Sequence, residues 1–323
     1  MTEGSNGPAT GQGDDVETGA VTVERREPEE TFALLGDETR VAILRALDEA
    51  DEDALTFSQL RERVGTADSG RFNYHLKKLV GSFVRRGDDG DGYTLTLAGR
   101  RVVGALVAGT YTATVSIDPI PVDAPCPNCD GRLVLDYADE RVRVHCADCG
   151  VFRNEFAFPP GTLGQFDREE LPEAADRWLQ STFQRVIAGF CTNCGGRVDS
   201  RLVADYRGGD GGEGGGSDEG TGHDREPDTR IVYECRQCDS ESNASPFIVS
   251  LRHPTGVAFF HDHGVDVTTA PTWEAFGRFD DYDVDVVATD PTRARVSVDL
   301  DGERLTVDID PDGRVESSER THL

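Results

Sequence analysis

Cys126-Pro-Asn-Cys129-Asp-Gly-Arg132, followed after residues 130–145 by Cys146-Ala-Asp-Cys149, decides how the middle of this chain folds. Two residues between cysteines let both thiolates of a tight knuckle face one ion, and two knuckles complete a tetrahedral sulfur shell around zinc. The gap lies inside the window of about 15 to 20 residues that separates the knuckles of a zinc ribbon. All eight cysteines pair in this way, as Cys126/Cys129, Cys146/Cys149, Cys191/Cys194 and Cys235/Cys238. The pattern predicts two structural zinc ions, each held by four cysteines.

The second pair of knuckles is separated by residues 195–234, a longer gap. Much of it is a run at 207–229 rich in Gly, Asp and Glu, too poor in apolar side chains to offset the entropy of ordering, and expected to be a disordered insertion. Without it the second ribbon, over 190–252, has ordinary dimensions beside the first, over 120–160. Cys126-Pro-Asn-Cys129-Asp-Gly-Arg132 recurs as Cys191-Thr-Asn-Cys194-Gly-Gly-Arg197, and Asp136-Tyr137 as Asp205-Tyr206, which points to an internal duplication. Alternating segments lead into the second knuckles, Arg141 to His145 and Arg230 to Glu234, as a ribbon hairpin requires.

Other chemistries for the thiols fit less well. Disulfides need an oxidising compartment, which a chain opening on a polar rather than an apolar segment is not expected to enter. Redox-active pairs open a helix, whereas these sit on glycine-containing turns between strands. An iron-sulfur cluster is chemically possible with four thiolates, but the symmetric knuckles suit zinc better. His145 abuts Cys146 and could substitute as a ligand; with four cysteines present it reads as a strand residue.

The chain has 323 residues, 61 acidic against 33 basic, and a net charge of -28. That is enough for two or three small domains. No apolar run reaches membrane-spanning length, so the expected compartment is the cytoplasm. So acidic a surface would ordinarily repel a phosphate backbone. However, lysine occurs only at Lys77 and Lys78, and abundant Asp and Glu with almost no Lys resembles the proteins of salt-in halophilic archaea. At molar salt the Debye length shrinks to about 3 Å, so only local contacts count and net charge does not exclude DNA.

Residues 1–28 lack apolar periodicity and read as a disordered acidic tail. From 29 to 113 the pattern spells three helices, a hairpin and a closing helix. The first helix is expected at Thr31 to Leu35. Asp37 caps the second, which carries Val41, Ile43, Leu44 and Leu47 at helical spacing. Thr56 and Gln59 form a capping box for the third. Ser69 is placed as N-cap of the next, with Phe72, Leu76 and Leu79 inward. Phe83 to Arg86 and Tyr93 to Leu95 form the hairpin, and Leu97 to Ala108 the last helix. This order is that of a winged helix-turn-helix.

Through Leu34-Leu-Gly-Asp-Glu-Thr-Arg-Val-Ala-Ile-Leu-Arg-Ala-Leu47, Asn73-Tyr-His-Leu-Lys-Lys-Leu79 and Tyr93-Thr-Leu-Thr96, the segment resembles the ArsR-type winged-helix regulators, in particular haloarchaeal members with appended cysteine ribbons. The resemblance covers about residues 29–112 and implies a sequence-specific, usually dimeric transcription regulator. It also implies a limit: the family's metal-sensing cysteines and histidines have no counterpart in this segment, so metal-responsive repression is not carried over.

In such a fold the helix after the turn enters the major groove. Its outward residues are expected to be Ser69, Arg71, Asn73, Tyr74, Lys77 and Lys78, with Arg85 and Arg86 added by the hairpin. Arg71 suits guanine O6/N7, Asn73 adenine N6/N7, and the lysines backbone phosphate. The acidic hairpin tip, Gly87 to Gly92, is expected to stay off the DNA. Val102, Val103, Leu106 and Val107 are expected either to join two chains in a homodimer or to cover the domain's own core.

A bridging helix is expected within 161–190, and a helix plus an antiparallel β-meander over 253–323, where Asp301-Gly302 and Asp312-Gly313 supply turns. His253, His261 and His263 lack metal-ligand spacing and read as structural. No nucleophile triad, phosphate loop or open three-ligand metal site emerges, so no enzyme is expected. The reading as a whole is an α+β protein: an N-terminal winged helix-turn-helix, two zinc ribbons and a small antiparallel meander. Its expected function is DNA-binding transcription regulation, with the ribbons as a sensing, dimerisation or docking module. The alternative is an accessory factor of the transcription machinery resembling archaeal transcription factor E.

Overall fold

The computed structural model describes residues 26–87, 92–206, 228–277 and 282–323. The expectations for the tail before residue 26, the hairpin tip at 88–91 and the insertion at 207–227 therefore lie outside the described residues. The chain divides into two compact units, residues 1–107 and 108–323.

In the first unit, α1 (Pro28–Ala33) starts earlier than expected because Pro28 takes the first helical turn, where its missing N–H costs nothing. In α2 (Glu38–Asp48) the Asp37 carboxylate accepts the amides of Thr39 and Arg40 at 3.0 and 3.2 Å. The Thr56/Gln59 capping box starts α3 (Phe57–Val64), which Gly65 ends in the left-handed region at φ 71°. The cap of α4 (Ser69–Leu79) is Asp68, not Ser69: its carboxylate accepts the amides of Gly70 and Arg71 at 2.8 and 3.1 Å. An ionised acceptor at the positive end of a helix outcompetes the neighbouring hydroxyl.

The strands β1 (Val84–Arg86) and β2 (Tyr93–Leu95) pair antiparallel, and Leu55 adds a bridge to Tyr93. Thr96 then opens α5 (Leu97–Val107), its hydroxyl accepting the Gly99 amide at 3.1 Å. Gly99 lies so close to the carbonyl of Phe83 that a Cβ there would collide with it. Ile43, Leu44, Leu55, Leu60, Phe72, Leu76, Leu79, Val84 and Val103 form the core. Each such buried side chain contributes about 1.5–3 kcal/mol of transfer free energy. The unit ends at Val107, short of the expected 113: the carbonyl of Ala108 already accepts the Gly161 amide, at 2.8 Å, within the second unit.

The second unit begins with a four-stranded antiparallel sheet, β3 (Ile120–Pro125), β4 (Arg132–Ala138), β5 (Arg141–Cys146) and β6 (Arg153–Ala157), in sequence order. Alternation along β4 and β5 buries Leu133, Leu135, Tyr137, Val142 and Val144 on one face. A short α6 (Pro160–Leu163) and a 3-10 turn at Arg168–Glu170 lead to α7 (Leu171–Ile187), so the bridging segment is two helices and a turn. A second sheet follows, β7 (Val198–Tyr206), β8 (Asp228–Cys235) and β9 (Glu241–Ala244). Asp228 and Thr229, assigned by sequence to the insertion, belong to β8, where Thr229 is buried.

Three helices, α8 (Pro246–Arg252), α9 (Pro254–Asp262) and α10 (Thr272–Gly277), precede the meander of β10 (Tyr282–Thr289), β11 (Thr292–Leu300), β12 (Glu303–Ile309) and β13 (Val315–His322). The boundary expected at 252/253 does not separate two domains. Ile231 and Tyr233 of β8, Phe247 and Leu251 of α8, Phe259 and Phe260 of α9, and Val296, Val298, Leu305 and Val307 of the meander share one core. The first sheet has its own core, with Leu171, Ala175 and Leu179 of α7. Val186 of α7 belongs to the other core, and Phe183 packs against both. Among the described residues, no helix is long and apolar enough to cross a membrane.

Candidate functional site

The fold brings the eight cysteines into two clusters, and in each the four sulfurs lie within 4.8 Å of one another. In the first, Cys126 Sγ is 3.8 Å from Cys149 Sγ and Cys129 Sγ is 3.6 Å from Cys146 Sγ. The second has 3.7 Å for Cys191 to Cys238 and 3.5 Å for Cys194 to Cys235. A tetrahedral ion with sulfur ligands at about 2.3 Å needs sulfurs about 3.8 Å apart, so both clusters fit one. They are far too open for disulfides, whose sulfurs are about 2.05 Å apart.

All four knuckles repeat one backbone device. The residue four after the first cysteine sits at positive φ: Asp130 at 57°, Gly150 at 68°, Gly195 at 73° and Asp239 at 54°. Its amide turns back to that cysteine's carbonyl, at 2.9, 3.2, 2.9 and 3.2 Å respectively. The loop so formed aims amides at sulfur: Asn128 at Cys126, Asp148 and Cys149 at Cys146, Gly196 at Cys194, and Gln237 at Cys235. The knuckles also interlock. A Cβ on Gly131 would collide with the Asp148 side chain and one on Gly196 would crowd that of Gln237, so glycine lets the knuckles cross closely.

The amides of Cys149 and Asp148 draw the Cys146 thiol down to about 6, and in the second cluster the Gln237 amide draws Cys235 down to about 7. In both clusters the opposing thiol moves the other way. Against the lowering effect of the Gly131 amide, neighbouring sulfurs and burial push Cys129 up to about 12, and Cys194 is likewise pushed up to about 12 despite the Gly196 amide. Four thiolates at this spacing repel one another until a cation neutralises them, which is what such a donor set supplies to a soft divalent ion. His145 is no ligand; its Nδ1 sits 3.4 Å from Asp136.

In the first unit, α4 has two distinct faces. Phe72, His75, Leu76 and Leu79 are buried, whereas Ser69, Arg71, Tyr74, Lys77 and Lys78 are exposed and Asn73 is half-buried. Arg85 and Arg86 are exposed on β1, and Arg86 lies over the Tyr93 ring at 5.6 Å. The buried His75 is absent from the sequence reading, and its position three residues after Phe72 could have revealed it. Of the candidate dimer residues, Val103 is 1 % exposed within the unit's own core and Val102 packs against that core. Leu106 is half-buried, and Val107 is 64 % exposed.

Two histidines of the second unit have local partners. His253 Nδ1 accepts the Thr255 amide at 3.4 Å as cap of α9, and His263 Nδ1 lies 2.8 Å from the carbonyl of Phe259. A buried polar node also escaped the sequence reading. Asp176 Oδ1 accepts the Thr272 amide at 3.0 Å, Gln180 Nε2 donates to Asp176 Oδ2 at 2.5 Å, and Arg252 donates to Gln180 Oε1 at 2.7 Å. Burial pushes the Asp176 carboxyl up, against the pull of these donors. The node ties α7 to α8 and to the start of α10.

A family model described as Domain of unknown function (DUF7351) matches residues 123–315, more than half of the chain. The chain belongs to the DUF7351 family. The DUF7351 match takes in all eight cysteines, both ribbon hairpins, α7 and the meander as far as the first residue of β13. It therefore treats as one element the same segment whose second core crosses the expected 252/253 boundary. A separate model, Domain of unknown function (DUF7347), matches residues 28–106, which lie within the first unit and run from the start of α1 almost to the end of α5. No curated protein matches the chain.

Proposed function

We propose that the first unit is a winged helix-turn-helix of ArsR type that binds double-stranded DNA, and that the DUF7351 region is a two-zinc module serving a transcription regulator of the cytoplasm, acting as a homodimer. The observation that carries this reading is the exposed face of α4. Arg71, Tyr74, Lys77 and Lys78 stand opposite an inner face of Phe72, His75, Leu76 and Leu79, with Arg85 and Arg86 on the hairpin that follows. Both lysines of an otherwise lysine-free chain are on this face. Arg71 offers the fork that guanine accepts, and the lysines offer point charges for phosphate.

Closed four-sulfur sites leave no coordination position for substrate, so the zinc ions are read as structural and the protein as no enzyme. A chain with cysteine hairpins beside a helix-and-hairpin unit also supports a second reading, an accessory factor of the transcription machinery. Genome-wide occupancy of the wild type and Arg71→Ala in the native host separates them. A regulator occupies discrete sites that the substitution erases. An accessory factor occupies most promoters with or without Arg71.

A further inference from the structure

On the first sheet, three arginines, Arg141, Arg143 and Arg153, converge on the buried Glu155, but Asp136 and Asp139 also face Arg143, so the patch is neutralised from within. A shallow cavity near Asp266 and Glu274 has its principal carboxylate already capped by Thr268 and Thr269. The His75 environment carries more.

His75 is the one titratable side chain on the inner face of α4, and it is 7 % exposed. Its Nδ1 lies 3.3 Å from Asp37 Oδ1, a polar contact without the alignment of a hydrogen bond. That same oxygen accepts the Thr39 and Arg40 amides that start α2. On its other side the His75 ring meets the ring of Tyr74 edge to face, with centroids 5.3 Å apart and planes at 80°. Tyr74 in turn carries the Lys78 ammonium 5.8 Å from its ring centroid. A continuous set of contacts therefore runs from the cap of α2, through the interior, to two side chains on the exposed face of α4.

We propose that His75 is a positioning residue for nucleic-acid contact, which Asp37 anchors and which holds Tyr74, and through it Lys78, in the orientation that meets the DNA backbone. An imidazole suits this post. It is apolar enough at its edge to pack in a core, presents a T-shaped partner to Tyr74, and offers a polar nitrogen to the Asp37 carboxylate. A leucine or phenylalanine at 75 would fill the space without the anchor. The fixed ring lowers the entropy lost when Tyr74 and Lys78 engage a phosphate.

The inference rests on the DNA-binding reading, and the test separates the two. Full-length protein with labelled tyrosine rings is compared as wild type, His75→Phe and Asp37→Asn, the last keeping an N-cap acceptor while removing the charge. In the free protein, both variants are expected to stay folded, with the Tyr74 ring signal shifted and broadened while the other tyrosine signals stay in place. On a DNA duplex carrying a selected site, both are expected to bind about 10-fold more weakly. The slope of log affinity against log salt should fall by about one phosphate contact. Neither loss should add to that of Lys78→Ala. A folded His75→Phe with an unmoved Tyr74 signal overturns the positioning role whether or not DNA binds. Fully additive losses with Lys78→Ala overturn it as well. Wild-type protein that fails to bind any duplex, while Tyr74 still responds to position 75, sinks the DNA-binding reading and with it the purpose assigned to the contact.

Discussion

The amide of Leu202, in the hairpin that carries the second cysteine cluster, donates to the carbonyl of Pro311 in the turn of the meander, at 2.8 Å. Ser200 Oγ reaches the carbonyl of Asp312 in the same turn at 2.7 Å, and Gly313, at φ 72°, lies against the side chain of Ile231. The last sheet is thereby seated on the metal-binding hairpin.

Gly313→Ala tests that seat. The left-handed backbone costs an L-residue roughly 1–2 kcal/mol, and the added methyl would collide with Ile231. A destabilisation of about 2 kcal/mol or more is expected. For a unit of this size that is a fall in melting temperature on the order of 5 °C. Differential scanning calorimetry of the intact chain should show the fall in the transition of residues 108–323, with the first unit unaffected.

Metal content is expected to be two zinc ions per chain, matching the two four-cysteine clusters. Cys146→Ser and Cys235→Ser each remove the thiol that backbone amides draw toward the thiolate. Each variant should lose the ion of its own cluster and hold the other more weakly than the wild type does, and the double variant should hold none, by elemental analysis across a chelator series. Stripping zinc with a chelator should abolish amide protection across residues 108–323 while α2 to α5 remain protected. A wild-type preparation fully folded without metal would contradict the structural role.

The first unit should weaken in acid, and Asp37 sets part of the dependence. Burial pushes its carboxyl up, but the Arg40 amide, the charges of His75 and Arg40, and the Thr39 amide together hold it below the ordinary range. A carboxyl depressed on folding stabilises above its unfolded pKa of about 3.9, and that contribution is lost as pH falls through the folded value. Asp37→Asn should therefore lower protection of the α2 and α4 amides above about pH 5 and flatten its decline below about pH 4. Hydrogen exchange resolved by residue measures both.

On DNA, Arg71→Ala is expected to cost about 1–3 kcal/mol at the preferred site and relax base choice at one position, whereas Lys77→Ala should weaken all sequences alike and reduce the salt slope by about 1. Fluorescence anisotropy across a salt series measures the two effects. Equal losses on every sequence from Arg71→Ala would assign that residue to phosphate.

How much of this was legible in the chain depended on how local the cause was. The Thr56/Gln59 box, the paired cysteines and the alternating meander are written in adjacent residues, and the structure has them where the pattern puts them. Asp68 was passed over for Ser69 because both are good caps, and only three-dimensional aim shows which side chain reaches the amides. His75 is assigned to neither face by sequence, because the partner that makes its burial tolerable, Asp37, lies far back in the chain. Helix α8 was absorbed into the ribbon because Pro246 to Arg252 is too short for its period to stand out. The joining of β8 to the meander rests on contacts between Ile231, Phe247 and Val296, which no local pattern carries.

Phe183 lies against the cores of both halves of the DUF7351 region, on the single helix α7 that serves each. If each half folds around its own metal ion, two halves that share a wall are expected to take up metal together rather than one at a time. An ion that orders one side of α7 would present a finished surface to the other, and each would then raise the affinity for its partner by the same factor. The protein should consequently meet falling zinc as one steep threshold rather than two gradual losses, and a half-loaded chain should be the scarcest species in solution.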